Sequence, residues 1–250
     1  MNKYKSSAEL KGMAKEQLFG SYGVAIGASL LVGFIIICIL FLLQIFNSIT
    51  TGGVISTPQL IISYLIGFIL SLFTGIFASG EAFFYLKITC GQPVAVSDIF
   101  YGFKVYPDKA LLIQLVRSII SYLCQAPIVV FYNLFYTHPQ NASYLFLMSL
   151  SAVIGSTVTI VLSLMFSQAF FLLQDFPQYT AKELLNMSHR IMKGHKGRLF
   201  YICISFIPLY LLSMLSCGLA VLWIEPYSNT VMANFYMDLM RQRGPEYPEN

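Results

Sequence analysis

Three long stretches of this chain carry no Asp, Glu, Lys or Arg: Gln17 to Gly80, Ser118 to Gln174, and Leu199 to Ile224. About 20 apolar residues in helix cross a bilayer core, and the first two stretches are long enough to cross, turn and return. Composition agrees, with 57% hydrophobic and 10% charged residues and a mean hydropathy of +0.71, against about 25% charged in soluble domains. The expectation is an all-α, polytopic transmembrane helical bundle that takes in residues 1–250 as one integral membrane domain. The apolar run Tyr22 to Phe46 is too long for the core of a secretory leader and is expected to stay as the first span.

Six spans fit, at roughly 21–46, 59–80, 109–135, 143–173, 198–215 and 218–240. The connections 47–58, 136–142 and 216–217 hold no formal charge, whereas the N-terminus, 81–108, 174–198 and the C-terminus hold nearly all the Lys and Arg. The positive-inside rule then places both termini and both long connections in the cytoplasm, with the protein in the cell membrane. A five-span alternative ends the last crossing at Trp223, but it puts Arg241 and Arg243 outside, and Ser216-Cys217-Gly218 reads as a tight turn. Two cytoplasmic interfacial amphipathic helices are expected, over 6–19 and 180–194. Each opens on a capping box, Ser6 with Glu9 and Thr180 with Glu183. The first sets Leu10, Met13, Ala14 and Leu18 opposite Lys11 and Lys15, which suits a helix at the inner leaflet. The second sets Leu184, Leu185, Ile191 and Met192, on lipid or bundle, opposite Lys182, Arg190 and Lys193.

Two spans carry small residues at every fourth position: Gly67, Ser71, Gly75 and Ser79 in one, and Ser151, Gly155, Thr159, Ser163 and Ser167 in the other. Helices in lipid associate through close backbone approach and interhelical hydrogen bonds, so spans two and four are expected to form the packed centre.

Polar residues inside spans are the candidates for function. Glu225 lies just before Pro226, with Asn229 one turn on and Asn234 beyond, and an ionisable group there costs roughly 2.5–3.5 kcal/mol at the span centre. Arg117 lies about 12 Å into span three, within snorkelling reach of the inner phosphates. An Arg117–Glu225 ion pair is the alternative. Arg190, Lys193, Lys196 and Arg198 form a basic cluster suited to anionic head groups at about 1 kcal/mol each, or to holding that connection inside. His189 and His195 are six apart, not on one helical face, and no HExxH accompanies them. The five cysteines are scattered without a CxxC and read as reduced apolar residues. No GxSxG, phosphate-cradling Gly loop, paired carboxylates or aromatic-basic nucleic-acid surface is present. No catalytic residue, cofactor, metal or nucleic-acid partner is therefore expected.

Asp175-Phe176-Pro177, Ser188, Met192-Lys193-Gly194-His195-Lys196, Leu199-Phe200, Ser205-Phe206, Gly218, Leu222-Trp223, Pro226-Tyr227 and Ala233-Asn234-Phe235-Tyr236 resemble the closing third of the DUF975 family of bacterial integral membrane proteins. Glu9-Leu10-Lys11, Ala14-Lys15, Leu18 and Gly20 resemble its opening motif. The chain departs from the family's Ile-Pro-Gly-Ile near Thr157 to Val161. The resemblance implies a multi-span cell-membrane protein and no reaction. A distant similarity to the membrane domain of some glycerophosphodiester phosphodiesterases implies a lipid-related role. The function expected first is a non-enzymatic membrane component that meets lipid, a partner membrane protein or a second copy of itself. The alternatives are a small transporter or lipid-translocating protein with a polar path through Glu225, Asn229, Asn234 and Arg117, and a membrane-embedded enzyme.

Overall fold

The computed structural model describes residues 4–51, 57–138 and 140–243, which are helical with no strand among them. The helices are α1 (Ser7–Leu18), α2 (Tyr22–Thr51), α3 (Thr57–Thr89), α4 (Tyr101–Lys104), α5 (Pro107–Thr137), α6 (Ala142–Met165), α7 (Ala169–Asp175), α8 (Ala181–Ile191), α9 (Lys196–Ile204), α10 (Ile207–Leu215) and α11 (Val221–Arg243). A 3-10 turn, Val96–Phe100, precedes α4. Five stretches are long and apolar enough to cross a membrane: Tyr22–Leu42, Ile61–Thr89, Pro107–Thr137, Ala142–Asp175 and Lys196–Leu215.

Local chemistry sets several boundaries. Glu9 N–H donates to Ser6 Oγ at 3.2 Å while Ser6 N–H donates to Glu9, and Thr180 with Glu183 repeats the arrangement at α8. The expected span 143–173 breaks after Met165, and Ser188 of α8 repairs the break. Its hydroxyl donates to the Met165 carbonyl at 2.8 Å and accepts from the Gln168 N–H at 3.3 Å. The span 198–215 breaks ahead of Pro208, which has no N–H to give to the preceding turn. Lys11 Nζ reaches the exposed Ser205 carbonyl there at 3.3 Å.

α3 runs on past the expected end at residue 80, so Glu81 stands inside a helix rather than at the start of a loop. The turn and α4 fold back along this extension, and Lys87 of α3 pairs with Asp98 at 2.7 Å. Burial works against the Asp98 charge, but the hydrogen bonds from Lys87 and the Ala95 N–H outweigh it, so its carboxyl lies below the usual range. A depressed folded value means that the contribution is present above the unfolded value, about 4, and is lost as pH falls through the folded one. Amide-exchange protection over Val96–Lys104, corrected for the intrinsic pH dependence of exchange, is accordingly expected to fall below about pH 4 in the wild type and to lose that step in Asp98→Asn.

The well-packed part of the molecule lies at one end, the base, where α1, α7 and α11 pack on the C-terminal half of α3, α8 packs on α7 and α5, and α9 on α6. Leu10, Ala14 and Leu18 of α1 are fully buried, chiefly against α11. Ala181, Leu184, Leu185 and Ile191 of α8 are buried against α7 and α5. Both amphipathic helices thus give their apolar faces to protein, where the sequence alone suggested the inner leaflet for α1. Away from the base, α2, α3, α5 and α6 continue with large apolar side chains turned outward, among them Phe34, Phe41, Leu65, Leu123, Phe146 and Val153.

α11, the expected sixth span, is not among the five apolar stretches. It carries Glu225, Asn229, Asn234, Asp238 and Arg241, and much of its surface is covered by α1, α2 and α3. It runs parallel to α3, with Glu225 in Coulombic range of Glu81 and Asn229 hydrogen-bonded to Tyr85. α9 and α10 return antiparallel to it, with Arg198 against Asp238, and Phe206 against Tyr227 at 5.3 Å between rings. From Glu225 to the hairpin tip at Cys217, through helix and tight turn, is about 12–16 Å, whereas α3 extends about 36 Å from Glu81 to Thr57. The hairpin therefore stops well short of the far end of the long helices.

Candidate functional site

The candidate polar residues fall into three places rather than one path. The first is a seam between α3 and α11. Glu81 and Tyr85 are one turn apart on α3, as Glu225 and Asn229 are on α11, and parallel packing sets the pairs face to face. The Tyr85 hydroxyl lies 3.2 Å from Ser29 Oγ of α2 and is buried. Glu81 has no counterpart in the sequence reading, which took it as the first residue of a connection. The signal was the apolar periodicity continuing through Ala82, Phe84, Tyr85 and Ile88.

Asn234 lies apart from this seam. Its amide donates to Gln17 Oε1 at 2.6 Å, and Gln17 in turn donates to the Thr89 carbonyl at 3.2 Å. This clasp ties α1, α11 and the end of α3. Two acids that sequence reasoning passed over do similar work: Asp175 accepts from the Tyr236 hydroxyl at 2.6 Å, and Asp238 pairs with Arg198.

Arg117 occupies the third place, after the seam and the Asn234 clasp. Its neighbour Ser118 accepts from Ser71 Oγ at 3.0 Å, and Ser71 lies about 15 Å outward of Glu81 along α3. That separation keeps Arg117 from Glu225, and the ion pairs among the described residues are Lys87–Asp98 and Arg198–Asp238. The guanidinium instead lies over the Phe170 ring of α7 at 5.4 Å and lines a cavity of about 230 Å³ between α3, α5 and α6.

The basic cluster divides. Arg198 is engaged with Asp238 and the Lys5 carbonyl, while Arg190 and Lys193 are exposed and Lys196 is half-buried. His189 is exposed and His195 packs on Tyr4 at 4.4 Å. Among the described residues no group of three His, Cys, Asp or Glu could hold a metal ion.

The small-residue stripes both meet α5, from different sides, and do not form a joint centre. A Cβ on Gly75 would sit 2.3 Å from Gln114 Cβ, one on Gly155 2.5 Å from the Cys124 carbonyl oxygen, and one on Gly67 3.1 Å from the Tyr122 hydroxyl. Ser79 accepts from Gln174 of α7 at 2.9 Å. Ser151 and Ser163 donate to carbonyls of their own helix, whereas the buried Thr159 Oγ1 has no partner among the described residues.

No curated protein and no solved structure matches the chain. A protein family described as a protein of unknown function (DUF975) matches residues 1–243, nearly the whole chain with both the α1 and α11 ends, and the chain belongs to that family.

Proposed function

We propose that this protein is a non-enzymatic, multi-pass component of the cell membrane that works by engaging acidic lipid at the cytoplasmic face, with both termini on that side. The observation that carries the reading is how α8 uses its two faces. Its apolar side is spent on α5 and α7, which fixes the helix at the base and leaves Lys182, Arg190 and Lys193 outward and exposed. Basic residues so placed at a membrane surface gain about 1 kcal/mol each from anionic lipid. Neutralising all three is expected to reduce the enrichment of phosphatidylglycerol over phosphatidylcholine in lipid co-purified with the folded protein. Unchanged enrichment would sink the reading.

The topology that goes with it has four crossings, α2, α3, α5 and α6, and an α9–α10–α11 hairpin that enters one leaflet and returns. The short reach of the hairpin supports this, as does its tip, where Met214 and Leu215 are 76% and 83% exposed beside Leu219 and Trp223. Four crossings keep both termini on one side, as six would. Cys217 at the tip discriminates, because six crossings put it at the outer surface. With Cys38, Cys90, Cys124 and Cys203 replaced by Ser or Ala, Cys217 is expected to resist a membrane-impermeant maleimide added outside intact cells. Efficient labelling from outside would restore the sixth crossing.

A transporter or lipid-translocating role draws on the Glu81–Glu225 juxtaposition. It is weaker because Arg117, Glu225 and Asn234 are separated by helix turns and engaged with different neighbours, so they do not line one route.

A further inference from the structure

Arg117 is a cation without a counter-charge among the described residues, inside the apolar stretch Pro107–Thr137. Of its surroundings among the described residues, the Phe170 ring covers one face of the guanidinium, and no carboxylate or hydrogen-bond acceptor takes its five N–H donors. An unpaired charge inside an apolar span is costly, and an anion against the guanidinium would offset that cost. Ser71, Ser118 and Gln114 bond one another along one wall of the cavity, with Gln114 Nε2 donating to the Ser71 carbonyl at 3.2 Å. On the facing wall Thr159 Oγ1 is buried and unpartnered. The cavity therefore offers an anion a forked cation, with the residue Thr159 in the opposite wall.

What kind of anion follows from the shape of the space. Thr159 also lines a second cavity of about 480 Å³ that continues outward between α5 and α6, past Gln125, Ile128, Val153, Ser156 and Ile160. Its lining is predominantly apolar, and the neighbouring Leu123, Val153 and Ile160 are open on the surface that the apolar girdle presents to lipid. At the other end, the Arg117 cavity reaches Phe166 at the α6–α7 break, next to the base. A chamber near the base that holds the Arg117 charge, adjoining at Thr159 an apolar groove running outward, matches an amphiphile with its head inward and a chain outward. A free inorganic anion uses only the chamber and leaves the groove unexplained.

We propose that this chamber and groove hold one anionic phospholipid of the inner leaflet, its phosphate on Arg117 and one acyl chain passing Thr159 along the α5–α6 groove. The assignment rests on the lipid-engaging reading above but concerns a different surface, since α8 gathers acidic lipid loosely at the face whereas Arg117 binds one molecule inside. Charge-assisted hydrogen bonds of this kind contribute enough that losing the guanidinium is expected to weaken binding by about tenfold to a hundredfold.

The test uses the full chain, purified and stripped of lipid in a neutral detergent. Phosphatidylglycerol, phosphatidylcholine of the same chains, and inorganic phosphate are each titrated. Binding is read as retained lipid by native mass spectrometry and as a rise in Tm. The expected result is one retained phosphatidylglycerol, little phosphatidylcholine and no effect of phosphate. Arg117→Gln is expected to lose that lipid, and Thr159→Leu, which narrows the junction while keeping the charge, is expected to lose it as well. The Lys182, Arg190 and Lys193 variant should keep it. Full retention in both cavity variants overturns the proposal, as does equal retention of phosphatidylcholine, a phosphate effect matching that of the lipid, or a stable dimer that occupies the groove. Should Arg117→Gln fail to fold, Thr159→Leu decides alone. Loss in the α8 variant with retention in both cavity variants would leave the surface reading standing and remove this one.

Discussion

Gly80→Ala, a single added methyl, is expected to destabilise the protein by about 3 kcal/mol, the top of the usual range for overpacking. The added Cβ would sit 1.7 Å from the Ile99 carbonyl oxygen and 2.7 Å from its carbon. Both are backbone atoms, so no rotamer change relieves the clash, and the turn Val96–Phe100 has to leave α3. That movement would expose the buried Ile99 and disturb the close passage of Gly102 against the Ile76 carbonyl, where a Cβ would lie 2.2 Å away. Helix propensity works in the opposite direction, since Ala exceeds Gly by about 1 kcal/mol in a helix interior. Gly33→Ala isolates that gain, because nothing lies within 4 Å of a Cβ there. Thermal unfolding in one detergent should show Gly33→Ala at or above the wild-type Tm and Gly80→Ala far below it. Equal values for the two would mean that the turn does not pack on α3 as described.

The turn's position could not be read from the sequence, and the reason is general to this chain. Signals that act within one helical turn were legible: the Ser6–Glu9 and Thr180–Glu183 caps. Long apolar runs were legible as helices, since α2, α3, α5 and α6 need only length and hydropathy. What was not legible was which surface covers a given face. The apolar stripes of α1 and α8 look the same whether lipid or protein meets them, and Leu10 and Leu184 turn out to lie against protein. α11 reads as a kinked span, and hydropathy alone does not show that α1, α2 and α3 cover much of its surface. The α6–α7 break has no Gly or Pro at Phe166-Ser167-Gln168, and it depends on Ser188, remote in sequence. Among site residues, Arg117 stood out as a charge within a span, but the cavity around it requires the placement of α3 and α6. Glu81 was hidden by the habit of ending a span at its first charge.

Breaking the Arg198–Asp238 pair should produce the second large effect, and the two single substitutions should differ in size. The Asp238 side chain is 2% exposed and that of Arg198 20%. Asp238 accepts from the Lys5 N–H at 3.2 Å as well as from Arg198, and Arg198 donates to the Lys5 carbonyl at 2.5 Å while lying 4.9 Å over Phe235. The pair thereby fastens the segment before α1 onto α9 and α11. Arg198→Met preserves the stem but strands a carboxylate that has no route to water, at about 3–5 kcal/mol. Asp238→Ala strands the guanidinium, which can swing towards solvent on its longer stem, so its cost should be the smaller. Arg198→Met combined with Asp238→Leu removes both charges and is expected to recover part of the loss, because an apolar pair of similar volume replaces a buried ion pair at little cost. Tm values for the four proteins close the cycle, and strictly additive costs would show that the pair is not coupled. The outcome also bears on the lipid experiments. Arg198 belongs by sequence to the basic cluster, yet its substitution would unseat α1 and mimic lost lipid binding through misfolding, which is why Lys182, Arg190 and Lys193 are the residues to neutralise there.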